Sequence, residues 1–269
     1  MSYHHTSYVA KPVDSKGIAH YTEDENEVWH DLIKRQLKIV EGRACAEYMH
    51  GLELLNLPHD KIPQCKDIST ALKKATGWVL EPVPALIPFE KFFHLLANRR
   101  FPAATFIRTR EELDYLQEPD IFHEVFGHCP LLTNPAYADF TQIYGKLALD
   151  ADKKDRALLA RLYWFTIEFG LIKNPAGLRV YGGGILSSAH ETVYCLEDTS
   201  VQRLPFNALE ALRTPYRIDI MQPVYFVLDN FDVLYELINM DLIQLIQKAR
   251  QLGEYTPLYP LGEKNESNM

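Results

Sequence analysis

Apolar residues recur at three- and four-residue intervals along most of this chain, and that spacing predicts a mainly α-helical protein. The strongest pattern covers 152–171. Its apolar stripe consists of Leu158, Leu162, Phe165 and Phe169. Signals for strands are few and short, TFIR at 105–108 being one. No internal repeat or linker divides the 269 residues, so we predict a single, mainly α domain with a few short strands.

Capping residues, glycines and prolines bound the other predicted helices. A helical pattern covers 24–55, with Asp24 or Asn26 as the candidate N-cap. Three prolines interrupt WVLEPVPALIP at 78–88, which predicts an irregular, apolar loop. The helix over 120–129 is expected to stop at Pro130. Further helices are predicted at 67–75, 89–101, 134–150, 189–196 and 231–252.

The composition restricts the partners of the chain. Lys and Arg number 28 and Asp and Glu 36, giving a net charge of −8, so neither a nucleic acid nor an anionic membrane is expected to bind. The four cysteines form no CxxC pair and are expected to be free thiols. No apolar secretory segment and no long apolar run is present, and we expect a cytoplasmic protein. Residues 1–23 are polar and aperiodic, so we predict an arm at 1–23, a folded domain at 24–255 and a tail at 256–269.

The densest group of potential metal ligands lies in PDIFHEVFGHCP at 119–130, where His123, Glu124 and His128 share one predicted helix. The zinc-protease pattern HExxH separates its histidines by four residues, whereas these are separated by five. On an ideal helix that separation is an offset of about 140°. Both rings can reach one ion only if the helix widens near Gly127, through a π-turn of the kind frequent at functional sites. The alternative is that both are ordinary surface or core histidines.

A third ligand is best sought on the helix over 152–171. Glu168 lies there in the otherwise apolar stretch LYWFTIEFGL. A buried carboxylate is costly unless it is paired or binds a cation. Two histidines and one carboxylate with open positions form the facial arrangement of non-haem Fe(II) oxygenases. The alternative is an ion pair with Arg161 or Arg179.

Arg108 follows a strand-like run, and its guanidinium could bind a substrate carboxylate in a bidentate manner. The alternative is a surface ion pair with Glu111 or Glu112. The glycines at 182–184 lack the GxGxxG spacing and give little support to a dinucleotide site.

Three motifs, PDIFHEVFGHCPLL, YWFTIEFGL and YGGGILSS in this order, resemble the catalytic domain of the pterin-dependent aromatic amino acid hydroxylases. The resemblance runs from about Trp78 to Gln222 and is weaker on both sides. It implies one mainly α-helical catalytic domain, here 24–255, with a few short strands around an iron cleft. It also implies Fe(II) and a tetrahydropterin, either tetrahydrobiopterin or a bacterial analogue, as cofactors. The chain is similar to the short bacterial members, without the regulatory domain or the long C-terminal helix of the animal enzymes, and we expect a monomer or a weak homodimer.

The resemblance also implies a role for individual residues. The catalytic iron ligands would be His123, His128 and Glu168, the same residues that the sequence spacing favours. The pterin would lie against Phe92, Glu124 and the backbone of Ala85, Leu86 and Ile87. Members of the family often carry a serine where Pro88 or Phe89 stands here, so side-chain contacts to the pterin are expected to differ at that point.

For the amino-acid substrate, the resemblance implies a pocket with Arg108 as the carboxylate clamp. The pocket would be formed by Arg108, Trp164, Phe169 and Ser187, with Glu191 behind them. Tryptophan hydroxylases carry Phe at the position of Trp164, and tyrosine hydroxylases carry Asp near that of Ile218. We therefore expect hydroxylation of L-phenylalanine to L-tyrosine by O2. Leu116 replaces a threonine of the animal enzyme near the substrate carboxylate, so that contact is expected to differ.

Two other classes of function are compatible with parts of the pattern. A zinc hydrolase would use Glu124 as general base beside two histidines, but the five-residue spacing argues against it. A non-catalytic helical binding module would hold the same residues as polar core groups and would bind no stoichiometric metal.

Overall fold

The structure is a computed structural model that describes residues 8–259, so parts of the predicted arm and tail lie outside the described residues. Helices dominate, as the periodicity predicts. The α-helices are α1 Glu23–Val40, α2 Ala46–Leu55, α3 Cys65–Thr76, α4 Phe89–Ala97, α5 Cys129–Leu132, α6 Pro135–Asp150, α7 Arg156–Tyr163, α8 Gly183–Leu186, α9 Ala189–Glu197, α10 Ala208–Arg213, α11 Asp232–Asn239 and α12 Leu242–Leu252. Two π-helical segments, His123–His128 and Trp164–Glu168, precede α5 and follow α7.

The strands are short and form two small sheets. They are β1 Val79–Val83, β2 Arg100–Ala104, β3 Leu171–Asn174, β4 Gly177–Val180, β5 Gln202–Pro205 and β6 Val224–Leu228. β1 and β2 pair in parallel. The second sheet has the order β4-β3-β6-β5, in which only β3 and β4 are antiparallel. A mainly α domain with a few short strands is therefore confirmed.

Local chain reversals divide two helices that the periodicity predicted as continuous. The pattern over 24–55 becomes α1 and α2, because the chain turns at Gly42 with φ +71°. Thr22 caps α1, rather than Asp24 or Asn26, in a reciprocal capping box with Glu25. The pattern over 231–252 is likewise divided into α11 and α12, where Asp241 caps the second helix.

The strand expected at 105–108 is displaced by a few residues. Helix α4 ends at Ala97, and β2 occupies Arg100–Ala104, so TFIR itself is irregular. The pairing partner β1 lies inside the proline-interrupted segment, where we predicted only a loop. Pairing between β1 and β2 decides where both strands form, because a short segment has little intrinsic preference for the strand conformation on its own.

The helix with the two histidines passes through Pro130 and ends at Leu132, contrary to the expected stop. Pro130 has no N–H to donate to the preceding turn. The carbonyl of Phe126 in that turn instead accepts a hydrogen bond of 2.7 Å from the hydroxyl of Tyr48. Helix α2 approaches closely at this point, since a Cβ on Gly51 would lie 2.0 Å from the Pro130 carbonyl oxygen. The main core extends from Val28 to Ala249 and surrounds both π-helical segments.

The described part of the N-terminal arm is tied to the body of the protein. Lys11 pairs with Glu25 at 2.7 Å, and the ring of Tyr8 stacks on Phe106 with centroids 4.6 Å apart. Within 8–259, no helix is both long enough and apolar enough to cross a bilayer.

Candidate metal centre and aromatic pocket

The five-residue spacing of the two histidines is accommodated by a π-helix. The segment His123–His128 is π-helical, as the spacing required, and the Nε2 atoms of the two rings lie 3.0 Å apart. A π-helix bonds residues five apart, so its wider turn brings His123 and His128 to the same face. His128 is buried, with 2% of its surface exposed.

Glu168 completes the cluster from the end of the second π-helical segment. Its Oε2 lies 3.3 Å from Nε2 of His128 and 3.7 Å from Nε2 of His123. One donor atom from each residue lies within 4.8 Å of the other two. The alternative partners of Glu168 are engaged elsewhere, Arg161 with Glu254 and Arg179 with nearby main-chain carbonyls.

The orientation of each imidazole is set by the glycine-rich segment before α9. The Nδ1 of His123 lies 2.8 Å from Oγ of Ser187, whose hydroxyl donates to the carbonyl of Gly183 at 3.0 Å. Gly183 also lies against His128, because a Cβ on it would be 2.3 Å from Cε1 of that ring. Ser187 thus keeps the proton of His123 on Nδ1 and leaves Nε2 free to bind a metal.

The electrostatics of the cluster favour metal ligation. Burial, with a smaller contribution from His128, lowers the pKa of His123 to about 4, so its ring is neutral. Burial alone would raise the pKa of Glu168, but the neighbouring histidines outweigh it and the pKa lies below its ordinary value. Imidazole nitrogens and a carboxylate oxygen are donors that suit a divalent transition metal. The residues therefore fit an iron ion.

Glu124 lies outside this group of donor atoms. It is buried, with 8% of its surface exposed, and burial, followed by repulsion from Glu168 and Asp120, raises the pKa of its carboxyl well above the ordinary value. A raised pKa favours the protonated form of the carboxyl, which can donate a hydrogen bond.

Arg108 is buried and pairs with Asp120, not with Glu111 or Glu112. Its Nε and Nη2 donate to the Asp120 carboxylate at 2.9 and 3.0 Å, and neither of these two bonds uses Nη1. Asp120 also accepts the main-chain N–H of His123 at 3.0 Å. Sequence reasoning missed the role of Asp120, although an acid three residues before His123 is a typical helix-capping signal.

Aromatic rings form a pocket wall beside Glu168. Trp164 stacks on Phe169, with centroids 4.2 Å apart, and on Tyr216 with centroids 4.8 Å apart. Tyr216 was not among the predicted pocket residues, because it comes from a distant loop that no local pattern connects to Trp164. Glu191 is buried behind this wall, where its carboxylate accepts hydrogen bonds from the main-chain N–H of Gln222 and from the Tyr225 hydroxyl. Gln222 was also missed.

Apart from Glu124, the residues expected to contact a pterin lie on one continuous stretch before and within α4. Ala85 is buried in a small cluster with Ala104 and Phe106, whereas Leu86 is 53% exposed. Ile87 is half-buried. Phe92 is half-buried, and its ring meets that of Tyr163 edge to face with centroids 5.5 Å apart. Tyr163 is the residue directly before the second π-helical segment.

Comparison with known proteins agrees with this geometry. The profile of the biopterin-dependent aromatic amino acid hydroxylases matches residues 5–255. The phenylalanine-4-hydroxylase of Pseudomonas aeruginosa is 59% identical over 255 residues, covering 95% of this chain and 97% of the relative. The solved phenylalanine hydroxylase of Legionella pneumophila is 52% identical, with a TM-score of 0.92 over 94% of this chain and 100% of that one. A Chromobacterium violaceum phenylalanine hydroxylase solved with bound Fe(III) is 41% identical, with a TM-score of 0.87 over 97% of this chain and 92% of that one.

Proposed function

This chain belongs to the biopterin-dependent aromatic amino acid hydroxylases, and we propose that it is a phenylalanine 4-monooxygenase. It converts L-phenylalanine to L-tyrosine with O2 and a tetrahydropterin at a non-haem Fe(II). One oxygen atom of O2 enters the aromatic ring and the other enters the pterin. The observation that carries the proposal is the convergence of His123, His128 and Glu168 from two π-helical segments.

We assign the iron to His123, His128 and Glu168. When bound, the iron and the pterin together supply the activation of O2 that hydroxylates the ring. These three residues would hold the iron, and a metal with three protein donors would keep coordination positions for other ligands. The hydrogen bond between His123 and Ser187 keeps the ligating nitrogen of His123 unprotonated.

We assign the pterin to the side of the cluster where α4 carries Phe92 and the first π-helical segment carries Glu124. Phe92 offers its ring for stacking, and the backbone of Ala85, Leu86 and Ile87 offers hydrogen bonds to the pterin edge. The irregular conformation of 84–88 supports this, since those residues use few of their main-chain groups within the fold. Glu124 is proposed to contact the pterin through its side-chain carboxyl group.

The substrate is assigned to the aromatic pocket. Trp164 and Phe169 hold the phenylalanine ring, and Ser187 lines the side near the metal. Arg108 binds the carboxylate through the N–H groups that Asp120 does not occupy. An apolar wall of this kind excludes water from the reacting ring. The wall also presents no polar group that would need a hydrogen bond from the substrate side chain. This suits the unsubstituted ring of phenylalanine.

The proposed division of the chain is an arm at 1–23, a catalytic domain at 24–255 and a tail at 256–269. The extent of the main core, from Val28 to Ala249, supports it. We propose a cytoplasmic protein that is a monomer or a weak homodimer and binds neither nucleic acid nor membranes. The net charge of −8 supports the last point.

The test is anaerobic reconstitution with Fe(II), followed by turnover with L-phenylalanine, a tetrahydropterin and air. Tyrosine, measured by chromatography, should form only when iron and pterin are both present. A parallel sample with Zn(II) tests the zinc-hydrolase alternative, in which amide hydrolysis rather than tyrosine would appear. The matched variant is Glu168→Ala, which should lose iron and turnover but retain the fold. If Glu168→Ala keeps its iron and its turnover, the ligand assignment is wrong.

A further inference from the structure

Gln222 is almost fully buried, with 1% of its surface exposed, although it lies in the irregular loop 214–223 between α10 and β6. Its Nε2 donates to the carbonyls of Arg217 and Ile220, both at 2.8 Å. Its Oε1 accepts from Nε1 of Trp164 at 3.3 Å. One buried amide therefore fixes the shape of the loop and joins the loop to the pocket wall.

Ring stacking also restrains Trp164, and one of the two stacking rings comes from the same loop. Tyr216, within the loop, stacks on the indole with an interplanar angle of 26°, and Phe169, outside the loop, stacks with an angle of 25°. Stacking restrains the indole perpendicular to its plane but permits sliding within it. The hydrogen bond from Nε1 to Gln222 is the contact that resists this in-plane movement.

The end of the loop that carries Gln222 is anchored, whereas its middle is exposed. The main-chain N–H of Gln222 donates to the Glu191 carboxylate at 3.1 Å, which ties this end to α9. Ile218 and Met221 are 68% and 37% exposed. Gln222 thus joins the end of the loop that is tied to α9 to the exposed part of the same loop.

We propose that Gln222 is a positioning residue that sets the width of the aromatic pocket by fixing Trp164 against loop 214–223. It thereby determines the preference for phenylalanine over the larger ring of tryptophan. The inference rests on the proposed function. Gln222 acts through Trp164, so its removal should alter selection of the amino acid without altering use of iron or pterin.

The test compares Gln222→Leu with the wild type on L-phenylalanine and on L-tryptophan. We expect kcat/KM for phenylalanine to fall about tenfold, mainly through KM, because the indole N–H of Trp164 loses its acceptor and the ring is no longer held in place. The preference for phenylalanine over tryptophan should fall at least about fivefold, since the wall can now yield to a larger ring. Iron content and the KM for pterin should not change. Of the three tryptophans, Trp29 and Trp78 are fully buried, so a red shift of the emission would report on Trp164.

The matched control is Gln142→Leu. Gln142 is a part-buried glutamine whose amide bridges α6 to Arg99 and Ala97, and its loss should leave both KM values and the preference unchanged. Gln222→Glu is the second variant, because it keeps an acceptor for Trp164 and loses both donors to the loop. It should show a smaller fall in preference than Gln222→Leu and provides the test if Gln222→Leu does not fold.

A double-mutant cycle with Trp164→Phe separates a positioning role from a general loss of structure. The effects of Gln222→Leu and Trp164→Phe on the preference should be markedly less than additive. An unchanged preference, additive effects, or an equal rise in the KM for pterin would each overturn the inference. A wild type that forms no tyrosine would instead overturn the proposed function.

Discussion

A single buried carboxylate, that of Asp120, holds both Arg108 and the start of the segment that carries His123. Nε and Nη2 of Arg108 donate to its two oxygens, and the main-chain N–H of His123 donates to one of them. Arg108 in turn outweighs the effect of burial and keeps the pKa of the Asp120 carboxyl below its ordinary value. The proposed substrate clamp and the first proposed iron ligand are therefore positioned by the same residue.

Asp120→Ala should lower the free energy of unfolding by about 3–5 kcal/mol, because it leaves the Arg108 charge buried without a partner. Chemical denaturation would measure the loss. The control is Asp114→Ala, which removes an exposed ion pair with Arg35 and should barely change the denaturation midpoint. Equal losses of unfolding free energy in the two variants would show that the buried ion pair stabilises the fold no more than the exposed one.

Gly183→Ala should reduce retention of iron at least about tenfold, since the added Cβ would lie 2.3 Å from Cε1 of His128 and displace the ring. Metal analysis after dialysis measures the effect. Gly42→Ala is the control, because nothing lies within 4 Å of its added Cβ. Its φ of +71° should cost about 1 kcal/mol of stability but no iron. Full iron retention by Gly183→Ala would contradict the described packing.

The free energy of unfolding of Glu191→Gln should increase relative to that of the wild type as the pH rises. Burial raises the pKa of Glu191 from 4.5 to about 6, against opposing hydrogen bonds from Tyr225 and Gln222. The stability that this group contributes is thus fully present below pH 4.5 and is lost as the pH rises through about 6. The difference between variant and wild type should grow by about 2 kcal/mol across this range. Thermal unfolding at several pH values measures it, and a constant difference would refute the assignment.

Tyr48→Phe should lower the free energy of unfolding by about 1–3 kcal/mol, because the Phe126 carbonyl is left without a donor beside Pro130. Denaturant unfolding, with Tyr235→Phe as the exposed control, measures this loss. The control should show almost no change. If Tyr48→Phe is equally neutral, some other donor reaches the carbonyl.

Spacing along the chain was enough to predict the unusual helix at the candidate metal centre. Two histidines five residues apart can face one ion only on a widened turn, and His123–His128 is π-helical. The isolated acid Glu168 in an apolar helix was likewise identifiable, because a buried carboxylate needs a cation or a partner. The π-helix is confirmed because helical geometry relates residues that are close in sequence. The structure also brings Glu168 to the two histidines.

The partner of Arg108 shows where such reasoning fails. Glu111 and Glu112 are nearer along the chain, but Asp120 is the acid that the fold buries beside the guanidinium. The stack of Tyr216 on Trp164 and the bond from Trp164 to Gln222 are similar cases, since both join segments about 50 residues apart. Local periodicity contains no information on such contacts.

The sequence by itself determined the mainly helical class, the three proposed iron ligands and the family, because each depends on residue type and short-range spacing. Only the tertiary structure decided where the long helices divide, which distant strands pair, and which acid neutralises Arg108. It also decided that Gln222 and Tyr216 support Trp164. Those outcomes depend on the burial of polar groups between segments far apart in sequence, where the cost of an unpaired charge or amide selects one arrangement.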